Sequence, residues 1–203
     1  MTGNHAVVFD LGKVLVDFDY GLVVRRVGSR GTAGLPALER LIIHSPLLPA
    51  YERGELSSPE FFEAIRRESG FRGTYDEFAG YFADIFTEIP PMTALHAELR
   101  ARGIPTFIFS NTNDLAIAHI RRNFPFFASF DGYVLSYEHG SMKPDAPIYE
   151  AVERMTDRRG PDLIYLDDRP ENVEAGLARG WHAILHHDPA ESRRRVESFG
   201  LLR

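Results

Sequence analysis

The sequence predicts an α/β fold: a Rossmann-like three-layer parallel-sheet core, with a helical cap inserted after the first strand. Three observations carry this. Short apolar runs, rich in β-branched and aromatic residues, recur along the chain. Helical patterns of about ten residues separate them, which is the signature of βαβ units and a parallel sheet. One long gap, between the first and second runs, holds only helical patterns.

Residues 6–9 (AVVF) form the first run. It breaks at Asp10 and Gly12 and reads as a buried parallel strand ending in a functional loop. In the long gap after it, helical patterns fall at 20–27, 35–45, 58–69 and 75–85. Ser58 opens the third of these, and Pro59 suits a first helical position. Pro90-Pro91 marks the return to the core. A helix at 93–102 stops at Gly103, glycine being favoured just past a helix end. The second apolar run is 104–109, and Asp114 begins the next helix, 114–122, as an N-cap type. A weaker run at 132–135, a helix at 145–155, a run at 163–166, a helix at 170–179 ending at Gly180, and a run at 182–185 complete the order. The expected division is an α/β core of residues 1–18 and 88–203, with the cap at 19–87. No repeat or low-complexity segment interrupts it.

Composition removes several function classes. The chain has 203 residues, which suits one core with a modest insertion. It is 44% hydrophobic and 26% charged, an ordinary globular balance. The absence of cysteine excludes disulfides, thiolate metal sites and thiol catalysis. A formal net charge of −6 argues against nucleic acid as a partner. The short arginine clusters at 121–122 and 193–195 read as solvated surface. No apolar run approaches the roughly 20 residues that span a bilayer. The polar start, residues 1–5, does not resemble a secretory signal, so a cytoplasmic protein with no membrane partner is expected. Oligomeric state leaves no signature in the sequence.

In an open α/β sheet, ligands bind beyond the carboxyl ends of the strands. The residues just after each apolar run are therefore informative. After the first run come Asp10-Leu11-Gly12-Lys13, and after the second Ser110-Asn111-Thr112-Asn113. Lys143-Pro144 precedes the 145–155 helix, and Asp167-Asp168 succeeds the 163–166 run. This set suits phosphoryl chemistry, where a site must neutralise a dianion and hold an oxygen nucleophile in line. Magnesium prefers carboxylate and carbonyl oxygen. Asp10, the Gly12 carbonyl, and Asp167 or Asp168 offer such ligands. Lys143 balances charge, Ser110 and Asn111 offer donors to phosphate oxygens, and a carboxylate nucleophile forms an aspartyl-phosphate that water then hydrolyses.

These residues resemble the motifs of the haloacid dehalogenase superfamily, in order through the chain. VVFD with Leu11-Gly12 is similar to its first motif and FSN (109–111) to its second. Lys143-Pro144 is similar to the third, and Leu166-Asp167-Asp168 with Asn172 to the fourth. The strings FDLGKVLVDFD, YERGELSSPEFFEAI, SNTND and MKPDAPIYE resemble a bacterial subgroup that includes α-D-glucose-1-phosphate phosphatase. The resemblance implies Asp10 as nucleophile and Mg²⁺ held near Asp10, Gly12 and the Asp167/Asp168 pair. It also implies a small phosphorylated metabolite, such as a sugar phosphate, as substrate.

One departure matters. Most phosphatases of that superfamily carry an aspartate where this chain has Gly12, and that acid protonates the leaving alcohol. Its absence favours substrates with good leaving groups, or another proton donor. It also keeps alive a catalytically weak relative that binds a phospho-ligand or a protein. Carbon–halogen hydrolysis, as the superfamily's name suggests, is disfavoured by the full acidic pair at 167–168. Lys13 either adds charge at the site's mouth or points to solvent. Asp17 and Asp19 read as turn or hinge residues, Glu52 and Arg53 as candidate cap contacts, and His186-His187 as surface.

Overall fold

The computed structural model describes residues 5–202. Of the polar segment read at 1–5, all but His5 lies outside the described residues. Strand β1 (Ala6–Phe9) leads into β2 (Val16–Phe18) and a helical segment of α1 (Tyr20–Gly28), α2 (Leu35–Ile43), α3 (Leu47–Glu52), α4 (Ser58–Ser69) and α5 (Tyr75–Ala83). Strand β3 (Phe86–Glu88) returns the chain. Next come α6 (Pro90–Ala101), β4 (Thr106–Ser110), α7 (Asp114–Asn123), β5 (Gly132–Leu135), α8 (Ser136–His139) and α9 (Ala146–Thr156). The chain ends with β6 (Leu163–Asp167), α10 (Pro170–Ala178), β7 (His182–Leu185) and α11 (Pro189–Ser198).

The main sheet has the order β5-β4-β1-β6-β7, and every pairing in it is parallel. Strand β1 lies at its centre, with Val8 opposite Phe107 on one side and Tyr165 on the other. Side chains alternate across a strand, so β1 feeds two cores. Val7 and Phe9 pack with Leu95, Leu99, Ile117 and Val196, from α6, α7 and α11. Ala6 and Val8 pack on the other face with Tyr149, Val152 and Val173, from α9 and α10. This explains why the parallel strands read as unbroken apolar runs.

The cap has its own core, dominated by Phe61, Phe62, Phe71, Phe78 and Phe82. Burying each such ring is worth roughly 1.5–3 kcal/mol, enough to hold short helices that would not persist alone. In helix α4 the N-cap is Ser57, one residue before the Ser58 that opens the pattern, and it forms a reciprocal capping box with Glu60. Likewise α7 is capped by Asn113, whose Oδ1 accepts from the Ala116 N–H at 3.0 Å, and Asp114 is the first helical residue. Gly103 ends α6 at φ +74°, as a helix-stopping glycine should.

Four features have no strong sequence signal. The antiparallel ribbon β2–β3 has strands of three residues each, too short to alternate visibly. Helices α3 and α8 have six and four residues. Helix α11 is half charged and buries only Ser192 and Val196. Among the described residues, no helix is long and apolar enough to cross a membrane.

Candidate active site

The carboxyl ends of β1, β4 and β6 converge on one cavity of about 240 Å³. Asp10 lies at its floor, 7% exposed, with its backbone N–H donating to Leu166 O at 2.9 Å. The Leu11 N–H donates back to Asp10 Oδ1 at 2.7 Å and fixes the carboxylate. The loop then turns tightly, with the Leu15 and Val16 N–H groups both donating to Leu11 O at 2.9 Å.

Lys143 sits between two acids. Its Nζ lies 3.0 Å from Asp10 Oδ1 and 2.6 Å from Asp167 Oδ2, and it donates to Phe109 O at 2.9 Å. Burial alone pushes this ammonium down, but the two carboxylates outweigh it and hold it above its ordinary value. Burial also pushes Asp10 well up, against the pull of Lys143 and with the help of Asp167.

Asp167 is fully enclosed. Oδ2 accepts from Lys143 and from the Tyr165 hydroxyl, and Oδ1 accepts from the Arg169 N–H at 2.9 Å and Asn172 Nδ2 at 3.0 Å. Burial opposes its charge, yet Lys143 and these donors keep the acid below the ordinary carboxylate range. Asp168 differs. It is half-buried and lines the cavity, and burial together with Asp167 raises its carboxyl.

Oxygens of Asp10, Asp167 and Asp168 all lie within 4.8 Å of one another. Three carboxylates face one buried ammonium here. That donor set is all hard oxygen and carries excess negative charge, which fits a divalent magnesium ion.

Ser110 ends β4 with its side chain buried, and among the described residues its hydroxyl makes only a long hydrogen bond, 3.4 Å to Asn111 O. Asn111 is differently engaged. Its Oδ1 accepts from the Lys143 N–H at 2.8 Å and its Nδ2 donates to Lys143 O at 3.0 Å. It clamps the loop that carries the lysine. Thr112 is tied to Ser136, which accepts from its N–H at 2.9 Å and donates to its carbonyl at 3.1 Å.

A family model described as haloacid dehalogenase-like hydrolase matches residues 5–180. The chain belongs to the haloacid dehalogenase-like hydrolases. Sesquiterpene phosphatase astK of Aspergillus oryzae is 29% identical over 182 residues, covering 88% of each chain. D-ribitol-5-phosphate phosphatase of Bacteroides thetaiotaomicron is 22% identical over 198 residues, covering 94% of this chain and 95% of that one. A haloacid dehalogenase family enzyme of the same bacterium, solved with magnesium and inorganic phosphate, superposes with a TM-score of 0.80 at 22% identity. That match covers 90% of this chain and 94% of the other, and it shows a shared fold.

This haloacid dehalogenase-like hydrolase brings Asp10, Gly12, Ser110, Asn111, Lys143 and Asp168 to one cavity, with Asp167 directly behind. Asp17 and Asp19 stay outside its lining. Asp17 pairs with Lys13, and Asp19 caps α1 by accepting from the Gly21 N–H at 2.7 Å. Lys13 adopts φ +59° and places Nζ 4.6 Å from the Phe18 ring centre. The expectation that His186 and His187 are both surface is half corrected. His187 is exposed, but His186 is buried with Nδ1 2.7 Å from Ser192 Oγ. Sequence reasoning missed Tyr165, Ser136 and Phe18. Ser136 comes directly after β5, so the strand-end rule extended to the weakest strand would have found it. Tyr165 precedes Asp167 by two and shares its side of β6, which strand alternation could have shown.

Proposed function

We propose that this hydrolase is a magnesium-dependent phosphatase of small phosphorylated metabolites, working through an aspartyl-phosphate on Asp10. The observation that carries the reading is Lys143 held between Asp10 and Asp167 beneath a cavity that Asp168 also lines. The relatives named as phosphatases support the same reaction class.

In this reading Asp10 attacks phosphorus. Lys143 holds the attacking carboxylate and offsets phosphate charge. The Ser110 hydroxyl, with little other bonding, donates to a phosphate oxygen. Asn111 acts chiefly by positioning Lys143. Magnesium would be held by Asp10, the Gly12 carbonyl and Asp168, with Asp167 orienting the lysine behind them. When bound it would supply charge neutralisation at the transferring phosphoryl group. Residues 1–18 and 88–203 would be the catalytic core and 19–87 the cap that closes over it.

The cavity of about 240 Å³ asks only for a compact monoester. A sugar phosphate such as glucose 1-phosphate is one member of that class. The test is p-nitrophenyl phosphate hydrolysis with Mg²⁺, in the parent and in Asp10→Asn. The variant is expected to lose at least about 10³-fold in kcat, as loss of a covalent nucleophile does. Turnover that survives EDTA would remove magnesium from the reading, and only halide release from a haloacid would return the carbon–halogen alternative. A parent without activity would favour the ligand-binding relative that Gly12 suggests.

A further inference from the structure

The phosphatase reading leaves a gap. Gly12 has no side chain to give a proton to the leaving alcohol, and an alkoxide is a poor leaving group without one. In-line displacement fixes where the proton must come from. Asp10 attacks from the cavity floor, so the leaving oxygen lies on the far side of phosphorus. The cap side of the cavity wall is built by Phe18, Tyr20, Leu48, Glu52 and Phe86, which come from β2, α1, α3 and β3 rather than from the main-sheet strands.

Glu52 is the acid in that wall. It is the last residue of α3 and lies one turn from Leu48, so the two share the helix face that meets the cavity. Among the described residues its carboxyl has neither a hydrogen bond nor an ion-pair partner, and Arg169, Lys143 and Arg53 act on it only at longer range. Burial pushes it up to about 7, against the pull of those three cations. Other candidates in or near the wall fit worse. The Tyr20 phenol is pushed far above its ordinary value by burial and by Glu52, so it holds its proton. Asp17 is held below its ordinary value by Lys13 and has no proton to give at neutral pH. Asp19 is committed to capping α1.

We propose that Glu52, reaching into the site from the cap, is its general acid and base. The role rests on the phosphatase reading. In the first half-reaction Asp10 Oδ bonds to phosphorus and the ester P–O bond breaks. The Glu52 carboxyl proton passes to the departing oxygen, so the product leaves as an alcohol and Glu52 becomes a carboxylate. In the second, Glu52 takes a proton from water as that water's oxygen bonds to phosphorus. The P–O bond to Asp10 breaks, inorganic phosphate is released, and Glu52 is protonated again.

The test compares kcat/KM for p-nitrophenyl phosphate, a good leaving group, with that for a simple alkyl phosphate, a poor one. Glu52→Gln is expected to lower the alkyl value about 10²–10⁴-fold, the usual size of general acid–base help, and the nitrophenyl value at least tenfold less than that. Steady-state kcat on p-nitrophenyl phosphate should also fall, with a burst of nitrophenolate, because hydrolysis of the intermediate loses its base. A second readout uses the parent alone. Its kcat/KM on the alkyl substrate should decline above pH about 7, the value to which Glu52 is pushed, while p-nitrophenyl phosphate shows no such limb. Equal losses on both substrates, or none, would overturn the assignment, as would identical pH profiles. Failure of the phosphatase reading itself looks different: parent and Asp10→Asn would then behave alike.

Discussion

Phe18 fills the space that a side chain at residue 12 would need. A Cβ built there would come 2.8 Å from the Phe18 ring. The missing aspartate is therefore a packed feature of the loop. Gly12→Asp is expected to destabilise the protein by about 1–3 kcal/mol through overpacking. Adding Phe18→Ala should relieve part of that, with a favourable coupling of about 0.5–3 kcal/mol in a double-mutant cycle of urea unfolding. Strict additivity would show that the two residues do not compete for space. At this scale the sequence is informative about chemistry and silent about neighbours. The acids at 10, 167 and 168 are legible as residues at or near strand ends, and the lysine at 143 is legible from its place just before a helix. Which acid faces the cavity is not, because that depends on the four hydrogen bonds that enclose Asp167.

Helix α6 carries a buried titratable group into the core beneath the sheet. His96 is 1% exposed, stacks on Phe130 at 3.8 Å between ring centres, and lies 3.1 Å from Thr106 Oγ1 through Nε2. Burial, aided by Arg100, lowers it to about 4. Unfolded, it titrates near its ordinary value of about 6.5. Between those values the unfolded chain binds more protons than the folded one, so stability falls as pH drops from about 6.5 to 4 and is fully present above that window. His96→Gln, which retains a polar partner for Thr106, should flatten that slope in urea midpoints measured at pH 7 and pH 5. An unchanged slope would mean that other groups set it. The long, strongly patterned helices are legible to within a few residues at their ends. The ribbon β2–β3 is not, because its short strands are defined by pairing across the cap rather than by local pattern.

Between cap and core, a single carboxylate gathers two cap hydroxyls. Tyr51 on α3 and Ser58 on α4 both donate to Asp114, the first residue of α7, which comes directly after the Ser110–Asn113 loop. The gap of helical patterns announces a cap, yet nothing in the sequence tells where it docks, since Asp114 lies more than 50 residues from both hydroxyls in the chain. Hydrogen bonds to a charged group are worth about 1.5–3 kcal/mol. Asp114→Ala should therefore lower unfolding stability by about that amount, and it should raise KM, because α3 also carries Glu52 and Leu48 into the cavity wall. Unchanged melting and KM would show that the cap is held elsewhere. Everything rests, finally, on Asp10 taking the phosphoryl group. The direct measurement is a rapid acid quench of the enzyme with p-nitrophenyl phosphate and Mg²⁺, then mass spectrometry of the peptide that contains Asp10. One phosphoryl group on Asp10, and none in Asp10→Asn, is the predicted result; a parent that turns over substrate while Asp10 stays unmodified would contradict it.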